Sequence, residues 1–137
     1  MENAVTEGTL SKLRILIIDD QPESRMALKT ILDDLGVGEV FEADDGRTGA
    51  MFLKKSGCGI DLILCDWNMP VMSGMEFFHH VRNQGNTTPF MMITGRGDHN
   101  SVMEARSTGV NGYIRKPFSP QQIEAKLRIL AARLKAA

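Results

Sequence analysis

The sequence predicts a doubly wound α/β domain, with a five-stranded parallel sheet covered by helices on both faces. Three observations lead there. Short apolar runs alternate five times with segments of helical periodicity. The runs are unbroken rather than alternating, as in strands buried on both faces. Glycine follows four of the helical segments, where chains commonly leave a helix through a left-handed residue. Parallel strands joined by helices imply right-handed crossovers.

The first unit is a strand over Leu13 to Ile18, then a helix opened by Pro22, carrying Leu28, Ile31, Leu32 and Leu35 at helical spacing and closed by Gly36. The second runs from Glu39 to Ala43 and from Gly46 to Lys55, ending at Gly57. The third places a strand over Leu62 to Cys65 and a helix over Ser73 to Asn83, ending at Gly85; Ser73 with Glu76 forms a capping-box pattern. In the fourth, Phe90 to Ile93 is followed by a helix over Asp98 to Thr108, whose apolar stripe at Val102, Ala105 and Arg106 is thin, so it is the helix expected to move. The fifth pairs Gly112 to Ile114 with Ser119 to Lys135, again opened by a capping-box pattern, Ser119 with Gln122, and by Pro120.

With 137 residues and 42% hydrophobic content the chain fits one domain, over residues 12–137, with an acidic lead at 1–11 expected to be disordered. Sixteen basic and 17 acidic residues are near balance, which argues against nonspecific binding to nucleic acid or to anionic membrane. No stretch has the length of a membrane span, and Cys58 and Cys65 lack metal-ligand spacing, so a reducing cytoplasm is expected.

In open parallel sheets ligands sit outside the carboxyl ends of the strands, where strand order reverses. Asp19 and Asp20 follow the first strand, and Asp66 follows the third. If these strands are neighbours, three carboxylates share a crevice and repel one another unless a cation neutralises them; oxygen ligands of this kind suit magnesium. Thr94 ends the fourth strand and Lys116 follows the fifth, supplying a hydroxyl and an ammonium for phosphoryl oxygens once a carboxylate has attacked phosphorus.

The spaced set Asp19-Asp20, Asp66, Thr94 and Lys116-Pro117 resembles the response-regulator receiver family over roughly residues 12–135, and Asp66-Trp67-Asn68-Met69-Pro70 is similar to that family's chemotaxis regulators. Matching at four strand ends is specific where each alone would be weak. The resemblance implies a flavodoxin-like sheet in the order 2-1-3-4-5, with Asp66 as phosphoacceptor. It implies Mg2+ held by Asp20 and Asp66, by Asp19 largely through water, and by the backbone carbonyl of Asn68. It further implies a cis bond at Lys116-Pro117, and a switch in which Thr94 draws inward and Tyr113 rotates, altering the face made by the helix over 98–108, the fifth strand and the last helix. The implied partners are a sensor histidine kinase or histidine phosphotransfer protein, read by Glu23 to Lys29 and the loop after Lys116, and a downstream protein target. The output is a docking surface, with chemotaxis or motility as one outlet.

Competing readings are a phosphorelay intermediate and an interaction module that keeps the fold without phosphorylation. A haloacid-dehalogenase-type phosphatase is disfavoured because Asn68 stands where its second aspartate would act as general acid. A flavodoxin is disfavoured because Asp19-Asp20 would repel the flavin phosphate. Taken singly, Asp20 reads as a helix cap and Lys116 as a surface lysine. His79 and His80 are adjacent on a helix and diverge, and His99 has no evident partner. The resemblance implies that Arg96, two residues after Thr94, and Asn68, two after Asp66, border the route of the water that hydrolyses the phosphoryl group, while Gly95 keeps the site open.

Overall fold

The computed structural model describes residues 10–56, 59–95, 103 and 107–136. Five strands, β1 (Arg14–Ile18), β2 (Glu39–Ala43), β3 (Leu62–Asp66), β4 (Phe90–Thr94) and β5 (Gly112–Arg115), form one parallel sheet in the order β2-β1-β3-β4-β5. The described helices are α1 (Pro22–Asp34), α2 (Gly46–Ser56), α3 (Gly74–Asn83) and α4 (Pro120–Ala136). Met103, Ser107 and Thr108 are also helical. The rest of the helix expected over 98–108, with its Val102, Ala105 and Arg106, lies outside the described residues, as do Gly57, Cys58, Arg96 and His99.

Strand residues alternate between faces because successive side chains point opposite ways. Ile15, Ile17, Leu62, Leu64, Met91, Ile93 and Ile114 face one layer, where Leu28 and Leu32 of α1 and Ile123, Leu127 and Leu130 of α4 cover them. Leu16, Ile18, Ile63, Cys65, Phe90 and Met92 face the other, against Leu53 of α2 and Phe77, Phe78 and Val81 of α3. Both faces of the central strands are thereby sealed, and β3 and β4 are buried along their whole lengths. Leu10 joins the first layer, fully buried, and the Leu13 N–H donates to its carbonyl. Residues 1–9 of the expected lead lie outside the described residues.

The helix ends follow their local chemistry. Both capping boxes form: the Glu76 N–H donates to Ser73 Oγ while Glu76 Oε1 accepts from the Ser73 N–H, and Ser119 and Gln122 exchange the same pair. Gly36, Gly85 and Gly109 are at φ +83°, +79° and +95°, where a Cβ would be disfavoured. Among the described residues no helix is long and apolar enough to cross a membrane.

Candidate functional site

The chain runs outward from β1 in both directions, β2 on one side and β3 on the other, so strand order reverses between β1 and β3. That is where an open sheet leaves a crevice beyond its carboxyl ends. Asp19 and Asp20 follow β1, and Asp66 is the last residue of β3; ligand oxygens of all three lie within 4.8 Å of one another. Asp66 continues the parity of Leu62 and Leu64, and Lys116 that of Ile114, so both project on the α1 side of the sheet. Thr94 continues the parity of Phe90 and Met92 on the opposite side. Tyr113, opposite Met92 in the β4–β5 register, packs on that same side, one diagonal step from Thr94.

Lys116 Nζ donates to Asp19 Oδ2 at 3.2 Å and to Ser24 Oγ at 3.2 Å, and lies 3.5 Å from Asp66 Oδ2. One ammonium thus faces two of three clustered carboxylates. Asp66 is 5% exposed, and burial pushes its carboxyl above the usual range; Lys116 pulls it back, the Asp19 charge pushes the same way as burial, and the Asn68 N–H draws it down by hydrogen bonding. Asp20 Oδ1 is buried with no hydrogen-bond partner among the described residues. An acceptor-only oxygen desolvated in this way fits a cation and fits poorly with an empty crevice.

The helix-cap reading of Asp20 is not realised. The N-cap of α1 is Gln21, which makes no side-chain cap bond, and it is Asp19 Oδ1 that accepts the Gln21 N–H at 2.9 Å. Arg25 steadies the same turn, donating to the Asp19 carbonyl at 2.7 Å while facing Glu42 at 3.5 Å. Thr94 is buried, Tyr113 and Lys116 are half-buried, and Asn68 is exposed beside Asp66. The Lys116-Pro117 bond is cis. His79 and His80 are both exposed and stand apart from the site. Cys65 is fully buried, which pushes its thiol well up, with the Asp66 and Asp19 charges adding to the effect, so it is no nucleophile.

Two features escaped the sequence reading. Ser24 reaches Lys116 from the first turn of α1, a contact legible only once β5 is known to lie across the sheet from that helix. The loop after Asp66 turns at Val71, whose φ of +71° with a Met72 N–H to Pro70 carbonyl bond of 2.7 Å makes a γ-turn on a β-branched residue. Nothing in the valine itself signals a left-handed turn; half-buried Met72 and buried Met69 hold the loop on either side.

Fold and site together define a receiver domain, and the chain belongs to the response regulator receiver domain family, whose model matches residues 15–128. It is a CheY-like receiver of a two-component response regulator. It is 39% identical over 131 residues to chemotaxis protein CheY-3 of Vibrio cholerae, covering 93% of this chain and 99% of that one. It is 36% identical over 124 residues to chemotaxis protein CheY of Pseudomonas aeruginosa, covering 89% and 98%. Among solved structures, Vibrio cholerae CheY4 superposes with a TM-score of 0.78 at 33% identity, covering 86% of this chain and 98% of that one. A receiver domain protein from Clostridium thermocellum reaches 0.82 at 27% identity, covering 90% and 98%. Receiver domains act as signalling switches.

Proposed function

We propose that Asp66 accepts a phosphoryl group from a phosphohistidine of a sensor kinase or phosphotransfer protein, with Mg2+ held between Asp20, Asp66 and the carbonyl of Asn68, and Asp19 acting through water. The observation that carries this reading is the cluster itself: three carboxylates within 4.8 Å, one of their oxygens buried and without a hydrogen-bond partner among the described residues, beside a lysine 3.5 Å from Asp66. When bound, the metal offsets carboxylate repulsion and the charge on phosphorus.

Each side chain has a part. An oxygen of Asp66 attacks phosphorus, forming the P–O bond of an acyl phosphate as the P–N bond breaks and its electron pair returns to the imidazole. Lys116, already within reach of Asp66, moves its charge onto the phosphoryl oxygens. The Thr94 hydroxyl donates to another and shifts toward it. Tyr113, on the same side of the sheet, turns into the space released and remodels the face that a downstream protein reads. The chain catalyses only its own phosphorylation and dephosphorylation, in the cytoplasm. Chemotaxis is the outlet that its CheY-named relatives suggest.

Trp67 is the only tryptophan, follows Asp66 directly and is 6% exposed, so its emission reports on this site alone. Acetyl phosphate with magnesium is expected to change Trp67 fluorescence in a saturable way, and neither reagent alone should reproduce the full change. Asp66→Ala should abolish the acetyl phosphate response. A fluorescence insensitive to both reagents in the folded protein would favour the phosphate-independent interaction module.

A further inference from the structure

Lys126 stands on α4, which packs on the α1 side of the sheet, whereas Tyr113 projects from the edge strand β5 toward the other side. Because β5, among the described residues, pairs only with β4, nothing in the sheet separates the two. Lys126 reaches past this edge and sets its Nζ 5.8 Å from the centre of the Tyr113 ring. A half-buried lysine needs a reason to be held there. Among the described residues it makes no salt bridge, and the positions three and four residues away on its own helix, Gln122, Ile123, Ile129 and Leu130, carry no carboxylate. What remains for its charge is the negative face of the aromatic ring.

We infer that Lys126 is a positioning residue of the switch: its ammonium holds the Tyr113 ring in the orientation seen here, and the turn of that ring must break this contact. The inference rests on the receiver reading above and adds to it the group that biases the resting state. A cation over an aromatic ring at a partly exposed position is worth about 0.5–1 kcal/mol, which converts to a two- to five-fold change in a two-state ratio. Removing the charge should raise the share of the turned state by that factor before any phosphorylation. Linkage then requires the turned state's ligand to bind more tightly by up to the same factor.

Tyr113 is the only tyrosine in the chain, so 3-fluorotyrosine gives one 19F signal for the switch. Three proteins are compared, wild type, Lys126→Met and Lys126→Arg, first with magnesium alone and then titrated with beryllofluoride as a phosphoryl mimic. With magnesium alone, the Met variant's signal should move toward the position that the wild type reaches at saturating beryllofluoride, and its beryllofluoride affinity should rise about two- to five-fold. Arginine, which keeps the charge, should restore both readings. A wild type that responds to beryllofluoride while Lys126→Met matches it in signal and affinity overturns this inference and leaves the receiver reading standing. An Arg variant that behaves like Met also overturns it, because the charge would then not be the cause. A wild-type signal that ignores saturating beryllofluoride overturns the switch reading, and the role of Lys126 falls with it.

Discussion

Gly74→Ala is expected to lower the unfolding free energy by about 3 kcal/mol, the upper range for inserting a methyl group where none fits. A Cβ on Gly74 would collide with the Asp66 carbonyl oxygen and come within 2.9 Å of Trp67 Cα and 2.8 Å of Met92 Sδ. Two of these three are backbone, so no rotamer change relieves them. Gly74 opens α3, and its N–H donates to the Trp67 carbonyl at 2.8 Å, closing the loop that leaves the phosphoacceptor. The same substitution therefore strikes stability and site together. Urea unfolding should show a lower midpoint at unchanged slope, and phosphorylation by acetyl phosphate should slow even where the variant remains folded. A loss under about 0.5 kcal/mol, the scatter of ordinary surface substitutions, would show that the start of α3 yields more easily than this packing implies.

Asp66→Asn should stabilise the metal-free protein at neutral pH while removing its response to magnesium. The sign follows from the raised carboxyl of Asp66. A carboxyl that titrates higher in the native than in the unfolded chain keeps its proton longer when folded. Between the ordinary carboxylate value of about 4 and the raised native one, the native state therefore binds more protons, and stability falls as pH rises. Above that window the charged Asp66, buried beside Asp19 and Asp20, remains a standing cost. Asparagine keeps the shape and the contact with the Asn68 N–H but carries no charge, so its melting temperature should exceed the wild type's by a few degrees at pH 7. The gap should close as the pH falls below about 4, where wild-type Asp66 becomes protonated in both states. Magnesium should reverse the order: a ligand bound only by the native state at 100 times its dissociation constant adds about 2.7 kcal/mol, and only the wild type retains the full set of carboxylates to gain it. Equal melting temperatures at pH 7 without metal would mean that Lys116 compensates Asp66 fully.

Much of this was legible in the sequence because it depends on local rules. The capping boxes at Ser73 and Ser119, the glycines at 36, 85 and 109, and the unbroken apolar strands each state their own conformation. Once the strands are counted, the site residues follow from lying just after them, and the switch-point rule says where they meet. The strand order was another matter, since apolar runs do not name their neighbours; it came from resemblance, and the register of β1 with both β2 and β3 agrees with it. Contacts between distant elements were illegible for the same reason. Ser24 with Lys116 spans 92 residues and the approach of Lys126 to Tyr113 crosses the edge of a sheet, and neither leaves a periodic trace. The cap reading that Asp20 invites when taken alone fails for a local reason. An aspartate ahead of a helix ordinarily caps it, but here the adjacent Asp19 receives the Gln21 N–H, which leaves Asp20 Oδ1 free of the helix and turned to a buried position.

Intact mass after mixing the protein with acetyl phosphate, with and without magnesium, shows whether Asp66 takes up a phosphoryl group. One phosphoryl group per chain is expected, formed only with the metal and absent in Asp66→Asn. An adduct that persists in Asp66→Asn, or no adduct at all on the folded wild type with magnesium present, would contradict this expectation.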